Sequence, residues 1–121
     1  MAKILIVDDD VTITDLMKAL VIMDGHDPTI VNDSLLAVET ARAVNPNLIT
    51  LDLMMPGLNG FELCEILHND QAFLDTPIIV ISAKDDTFSR ERAFAVGARD
   101  YLIKPFDVDE FLEKIKFFVT V

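Results

Sequence analysis

The chain reads as an α/β protein, a single (βα)5 doubly wound parallel sheet with helices on both faces. Three observations predict it. Short apolar, β-branched runs alternate with helical stretches five times along the sequence. Glycine, proline, asparagine and aspartate punctuate the junctions between them. Charged or hydroxylated residues leave several of the runs at their C-terminal ends, where an open parallel sheet places its working site. Right-handed crossovers reduce the possible topologies to a few.

The first strand is Lys3 to Val7, followed at once by Asp8-Asp9-Asp10. Asp10 is suited to cap the next helix, whose Ile13, Leu16, Met17, Leu20 and Val21 recur at the spacing of one buried face. Asp24-Gly25 stops that helix, and Pro28 to Val31 is a short second strand. Asn32-Asp33-Ser34 opens a second helix, expected through about Val44, with Ala37, Val38, Ala41 and Val44 inward. Asn45-Pro46-Asn47 breaks it before the third strand, Leu48 to Leu51. After the loop marked by Pro56 and Gly57, a third helix starts near Asn59-Gly60, with Phe61, Cys64 and Leu67 on one side and Leu63 and Ile66 beside them. Thr76-Pro77 leads into the fourth strand, Ile78 to Ile81. The fourth helix ends at Gly97, a C-terminal stop signal, and its apolar stripe is thin: Phe88, Ala93, Phe94 and Val96. Tyr101 to Ile103 is the fifth strand. Asp107 caps a last helix with Val108, Phe111, Leu112, Ile115, Phe118 and Val119 inward.

At 121 residues the chain is long enough for one sizeable core, and 51% hydrophobic with 26% charged residues is globular composition. We expect one domain over residues 1–121. No apolar run approaches the ~18 residues of a membrane span, and Met1-Ala2-Lys3 runs straight into a strand, so no signal peptide is expected. The lone Cys64 reads as a small buried hydrophobe, and a cytoplasmic location fits. His26 and His68 read as ordinary surface residues. The net charge of −11 argues against gripping nucleic acid and is compatible with a metal cation.

The strand ends carry the chemistry. The first gives Asp8 and Asp9, the third Asp52, the fourth Ser82 and the fifth Lys104. Three carboxylates on one rim repel each other unless a cation sits among them, and carboxylate oxygens with water suit Mg2+. Asp52, leaving a buried strand, is placed to attack phosphorus and form an acyl phosphate. Lys104 is placed to pair with Asp52 or with a phosphoryl oxygen, and Ser82 to hydrogen-bond another. Singly each has a plainer reading: a helix cap, a loop cap, a small strand-end residue, a solvated lysine. Their co-location at successive strand ends favours the site.

Ile4-Leu5-Ile6-Val7-Asp8-Asp9-Asp10, Leu51-Asp52-Leu53-Met54-Met55-Pro56-Gly57-Leu58-Asn59-Gly60, Ile79-Val80-Ile81-Ser82-Ala83-Lys84 and Gly97-Ala98-Arg99-Asp100-Tyr101-Leu102-Ile103-Lys104-Pro105-Phe106 resemble the receiver domain of bacterial two-component response regulators, the CheY-like family. The resemblance covers essentially the whole chain. It implies a flavodoxin-like sheet of order 2-1-3-4-5. It implies that Asp52 is the phosphoacceptor, that Asp8 and Asp9 hold Mg2+ with Asp52 and the backbone carbonyl of Met54, and that Ser82 is the switch hydroxyl. It further implies that Tyr101 is the switch aromatic, that Lys104 binds the phosphoryl group and that Pro105 follows a cis bond. Implied partners are a histidine kinase or phosphotransfer protein, and an output domain or homodimer through helix four, strand five and helix five. Neither direct nucleic-acid binding nor a membrane is implied. The protein would not be an enzyme in its own right, although it assists its own phosphorylation and dephosphorylation.

The resemblance implies that Met54, two residues after Asp52, and Lys84, two after Ser82, tune hydrolysis of the acyl phosphate; Met54 cannot hydrogen-bond an attacking water, which predicts a phosphoryl lifetime longer than in a Met54→Asn variant. Arg99 stands where the family often has an acidic residue. Other readings stay open. An aspartate-nucleophile phosphatase would want an acid where Met54 stands. A flavin site would want a glycine- and hydroxyl-rich loop where Asp8-Asp9-Asp10 stands. A degenerate receiver that only docks would not need all five site residues. The weakly anchored fourth helix is the expected moving part, and Phe117 lies off the inward stripe of the last helix, either as part of a partner surface or as a stray surface apolar.

Overall fold

The computed structural model describes residues 1–119. Ten main elements alternate: β1 (Lys3–Val7), α1 (Val11–Met23), β2 (Asp27–Val31), α2 (Ala37–Val44), β3 (Leu48–Leu51), α3 (Gly60–Asn69), β4 (Ile78–Ser82), α4 (Thr87–Ala95), β5 (Asp100–Ile103) and α5 (Val108–Val119). The strands form one parallel sheet of order β2-β1-β3-β4-β5, the expected topology. The second helix begins as a tight 3-10 turn at Ser34–Leu36 rather than as continuous α-helix, with Asp33 accepting from the Leu35 N–H at 3.0 Å.

Side chains alternate across the sheet with period two, and this splits the interior into two cores. Ile4, Ile6, Ile79, Ile81 and Leu102 face α1 and α5, where Met17, Val21, Phe111 and Ile115 meet them. Leu5, Val7, Ile49, Leu51, Val80 and Tyr101 face the other way, onto Ala37, Ala41, Leu63, Cys64, Leu67 and Ala93 of α2, α3 and α4. Each fully buried aliphatic side chain contributes roughly 1.5–3 kcal/mol.

The predicted caps form. Asp10 accepts from the Thr12 and Ile13 N–H groups at 3.0 and 3.2 Å, Asn59 from Phe61 at 2.8 Å, and Asp107 from Asp109 at 2.8 Å. Gly97 has a φ of +118°, which suits the chain leaving α4. The Lys104–Pro105 bond is cis.

Five expectations about helix faces, and one about a turn histidine, need correcting. Leu16 is exposed, while Thr14 is buried beside Met17 and Val21. Positions 14, 17 and 21 lie along the centre of the sheet-facing stripe, and Leu16 falls at its edge. Phe88 and Phe94 are exposed, so α4 is anchored mainly by Ser89 and Ala93. Ile66 and Val108 are exposed as well. His26 is half-buried and partnered: its Nδ1 accepts from the Ala2 N–H at 3.2 Å and its Nε2 lies 3.6 Å from Asp24. Cys64 is buried as expected, and burial pushes its thiol up to about 12.

Candidate functional site

Strand pairing itself sets the rim. The Asp8 N–H donates to Val31 O at 3.0 Å, the Asp52 N–H to Val7 O at 3.0 Å and the Lys104 N–H to Ser82 O at 2.9 Å. Residues just past the strands are thus held by the sheet's hydrogen bonding, and strands of matched length bring their exits together. This is why residues 8, 52, 82 and 104, far apart in sequence, can share one site.

Asp8, Asp9 and Asp52 each offer a carboxylate oxygen, and these atoms all lie within 4.8 Å of one another. Asp8 and Asp52 are buried; Asp9 is exposed. Lys104 reaches across to both buried acids, its Nζ donating to Asp8 Oδ2 at 2.6 Å and to Asp52 Oδ2 at 3.4 Å. The sequence pointed to Asp52 as its partner, but the shorter contact is to Asp8. The remaining oxygens are held locally: the Asp10 N–H donates to Asp8 Oδ1 at 3.0 Å and the Met54 N–H to Asp52 Oδ1 at 3.2 Å.

Burial raises the Asp8 carboxyl above the ordinary aspartate value, against the lowering pull of the Lys104 and Asp10 hydrogen bonds. Burial alone would lower Lys104, yet the Asp8 hydrogen bond and the charges of Asp52 and Asp8 outweigh it and hold the ammonium above its ordinary value. Three carboxylates against one ammonium leave an excess of negative charge in a partly desolvated place. That donor set, all oxygen, fits a hard divalent cation.

Ser82 ends β4 fully buried, its hydroxyl accepting from the Lys84 N–H at 3.2 Å. Tyr101 is buried too, and its hydroxyl donates to Lys84 O at 2.6 Å. Both therefore hold the loop between β4 and α4. The Arg90 guanidinium lies over the Tyr101 ring, 5.1 Å from its centroid. Burial pushes the Tyr101 phenol up.

Two contributors escaped the sequence reading. Asn32 Nδ2 donates to Asp8 O at 2.8 Å, and the Ser34 hydroxyl donates to Pro56 O at 3.0 Å while accepting from the Leu58 N–H at 2.9 Å. Asn32-Asp33-Ser34 reads as a helix start, and no local signal says that its side chains reach the loops after β1 and β3.

A family model described as the response regulator receiver domain matches residues 4–116. The DNA-binding dual master transcriptional regulator RpaA of Synechocystis sp. is 38% identical over 116 residues, covering 96% of this chain and 48% of its own length. The response regulator ArlR of Staphylococcus saprophyticus is likewise 38% identical over 116 residues, covering 96% of this chain and 51% of its own. The chain thus spans about half the length of these curated relatives. Among solved structures, the receiver domain of the Francisella response regulator 1452 superposes with a TM-score of 0.89 at 33% identity, covering 98% of this chain and 96% of the other. Chemotaxis protein CheY4 of Vibrio cholerae superposes with a TM-score of 0.92 at 26% identity, covering 98% and 99%.

Proposed function

The chain belongs to the response regulator receiver family, and we propose that it accepts a phosphoryl group on Asp52 and reports that event through the face built by α4, β5 and α5. The observation that carries the proposal is the meeting of Asp52 with Asp8, Asp9 and the Lys104 ammonium at one rim.

In the transfer, an Asp52 carboxylate oxygen forms a bond to phosphorus while the bond from phosphorus to the donor breaks. With a kinase or phosphotransfer protein, the leaving imidazole nitrogen keeps the electron pair. Lys104 supplies positive charge where the equatorial oxygens gather negative charge. Asp8, Asp9, Asp52 and the Met54 backbone carbonyl are the groups that would hold Mg2+. When bound, Mg2+ neutralises the carboxylates and the incoming phosphoryl oxygens.

A phosphoryl group adds charge and strong acceptors beside Ser82. If the Ser82 hydroxyl turns to donate to it, the bond from the Lys84 N–H is drawn along, and Tyr101 is tied to the same loop. Tyr101 also walls a surface cavity of about 510 Å3, which Arg90, Asp100, Phe106, Glu110 and Lys114 help to line. The rim and the outer face are thus two ends of one short chain of contacts. That face carries both signs of charge, with Lys114 and Asp100 paired at 2.8 Å, and the exposed Phe88 and Phe117 lie on its helices. It suits an output domain or a second copy of the chain. RpaA is named as a DNA-binding regulator, and by that likeness the output is control of transcription. The net charge of −11 makes this domain itself a poor match for a phosphate backbone.

The test is phosphorylation by a small phosphodonor with Mg2+, read by intact-protein mass. The parent gains one phosphoryl group; Asp52→Asn gains none; removal of Mg2+ with a chelator abolishes the gain. An unlabelled parent, or an Asp52→Asn variant labelled as fast as the parent, refutes the assignment.

A further inference from the structure

We infer that the segment Asn32–Ser34, between β2 and α2, is a brace joining the two acidic loops, and that Asn32 and Ser34 are positioning residues for the divalent-cation site. The inference rests on the metal reading given above.

The sheet's hydrogen bonding fixes Asp8 and Asp52 but stops there. Asp9 and Met54, the residues that would complete the site, lie beyond it. The brace reaches both exits. On the β1 side, the Asp8 N–H donates to Val31 O and Asp8 O accepts from Asn32 Nδ2 at 2.8 Å, so the residue is gripped through both backbone polar groups. Asn32 Nδ2 also donates to the buried Thr14 hydroxyl at 3.2 Å, which fixes the amide against α1.

On the β3 side, Ser34 is only 1% exposed. Its hydroxyl uses one donor and one acceptor, giving to Pro56 O at 3.0 Å and receiving from the Leu58 N–H at 2.9 Å. The loop closes over that hydroxyl through Gly57, whose φ is +90° and where a Cβ would lie 2.9 Å from Ser34 Oγ. The same loop brings the Met54 N–H to Asp52 Oδ1 at 3.2 Å. Two side chains two residues apart therefore hold the loop after Asp8 and the loop after Asp52. Carboxylates of like charge push such loops apart, and hydrogen bonds to backbone from a shared segment oppose that spreading. Outer-shell contacts of this kind orient ligands without touching the ion.

The experiment is a calorimetric Mg2+ titration of the parent, Ser34→Ala, Asn32→Ala and the double variant, each first checked for folding by urea denaturation. Each single variant is expected to weaken Mg2+ binding about tenfold. Ser34→Ala should also speed amide exchange at Leu58, while phosphorylation by a small donor approaches the parent rate at saturating Mg2+. Ser34→Thr, which keeps the hydroxyl, should restore Leu58 protection. Asn32 is exposed and not packed in the core, so Asn32→Ala carries the test if Ser34→Ala does not fold. A parent that binds Mg2+ beside variants that bind it equally well overturns the brace alone. A rate that stays low at saturating Mg2+ also overturns it, because the defect then lies outside metal positioning. A parent that does not bind Mg2+ refutes the metal reading and the brace with it.

Discussion

Asp8 is 2% exposed, faces Asp52 and Asp9, and has the Lys104 ammonium at 2.6 Å. Its raised pKa, due first to burial, means that the folded state holds the proton more tightly than the unfolded chain does. Between the ordinary aspartate value and the raised one, stability falls as pH rises. Asp8→Asn removes the charge, so it should raise stability at neutral pH by about 1 kcal/mol. The gain should shrink on acidification toward the ordinary aspartate range, about pH 4, because the parent's own carboxyl, held above that range, takes up its proton on the way down. Urea denaturation at the two pH values measures this; a variant less stable than the parent at neutral pH refutes it. Lys104 runs in the opposite sense: its raised pKa contributes stability that is present below the ordinary lysine value and lost as pH rises through the folded one. The residues of this site were legible one by one in the sequence, because charged groups at the ends of apolar runs stand out. Their pairing was not. That Lys104 sits closer to Asp8 than to Asp52 depends on where the fifth strand ends relative to the first and third.

The loop from Asp52 into α3 needs Gly60 for a reason of space. A Cβ there would stand 2.4 Å from Leu53 Cα and 2.9 Å from Asp52 O, both backbone atoms that cannot step aside. Gly60→Ala is therefore expected to destabilise by about 3 kcal/mol, and to disturb the Asp52 backbone as well. A thermal or urea midpoint unchanged from the parent's refutes the close approach. At α4 the sequence showed weak anchorage, and the helix is weaker still. Ser89 and Ala93 are its buried residues, while Asp86 caps it through the Ser89 N–H at 2.8 Å and the Ser89 hydroxyl at 2.9 Å. A helix held by a cap and two small side chains shifts at low cost, which suits the element that follows the Ser82 loop. Periodicity misjudged Phe88 and Phe94 because a short helix with few apolar residues has no clear stripe, and only packing against α3 and β5 selects a face. Helix limits and caps, by contrast, were read correctly at Asp10, Asn59, Gly97 and Asp107, where local hydrogen bonding and backbone conformation decide.

Across the whole molecule, a central sheet separates two cores, and its charge-rich rim closes neither. A cation that binds the folded rim but not the unfolded chain must stabilise the fold by mass action, about 2.7 kcal/mol at a hundredfold excess over its dissociation constant. Mg2+ should therefore raise the denaturation midpoint of the parent and leave that of Asp9→Asn nearly unmoved. Equal shifts in both would show that the ion acts elsewhere. Among the described residues no helix is long and apolar enough to cross a membrane. Much of this follows from the sequence alone. Five alternations of period-two and helical patterning specify a parallel sheet covered on both faces, and the residues leaving its strands carry recognisable chemistry. Tertiary structure decided what lies between those residues: which acid the lysine meets, which face of α4 packs, and that Asn32 and Ser34 hold the loops after β1 and β3. Periodicity and capping act within about one turn of chain and are written locally. Contacts between residues 8, 32, 34, 52, 56, 58 and 104 exist only once strands from distant parts of the chain share one sheet.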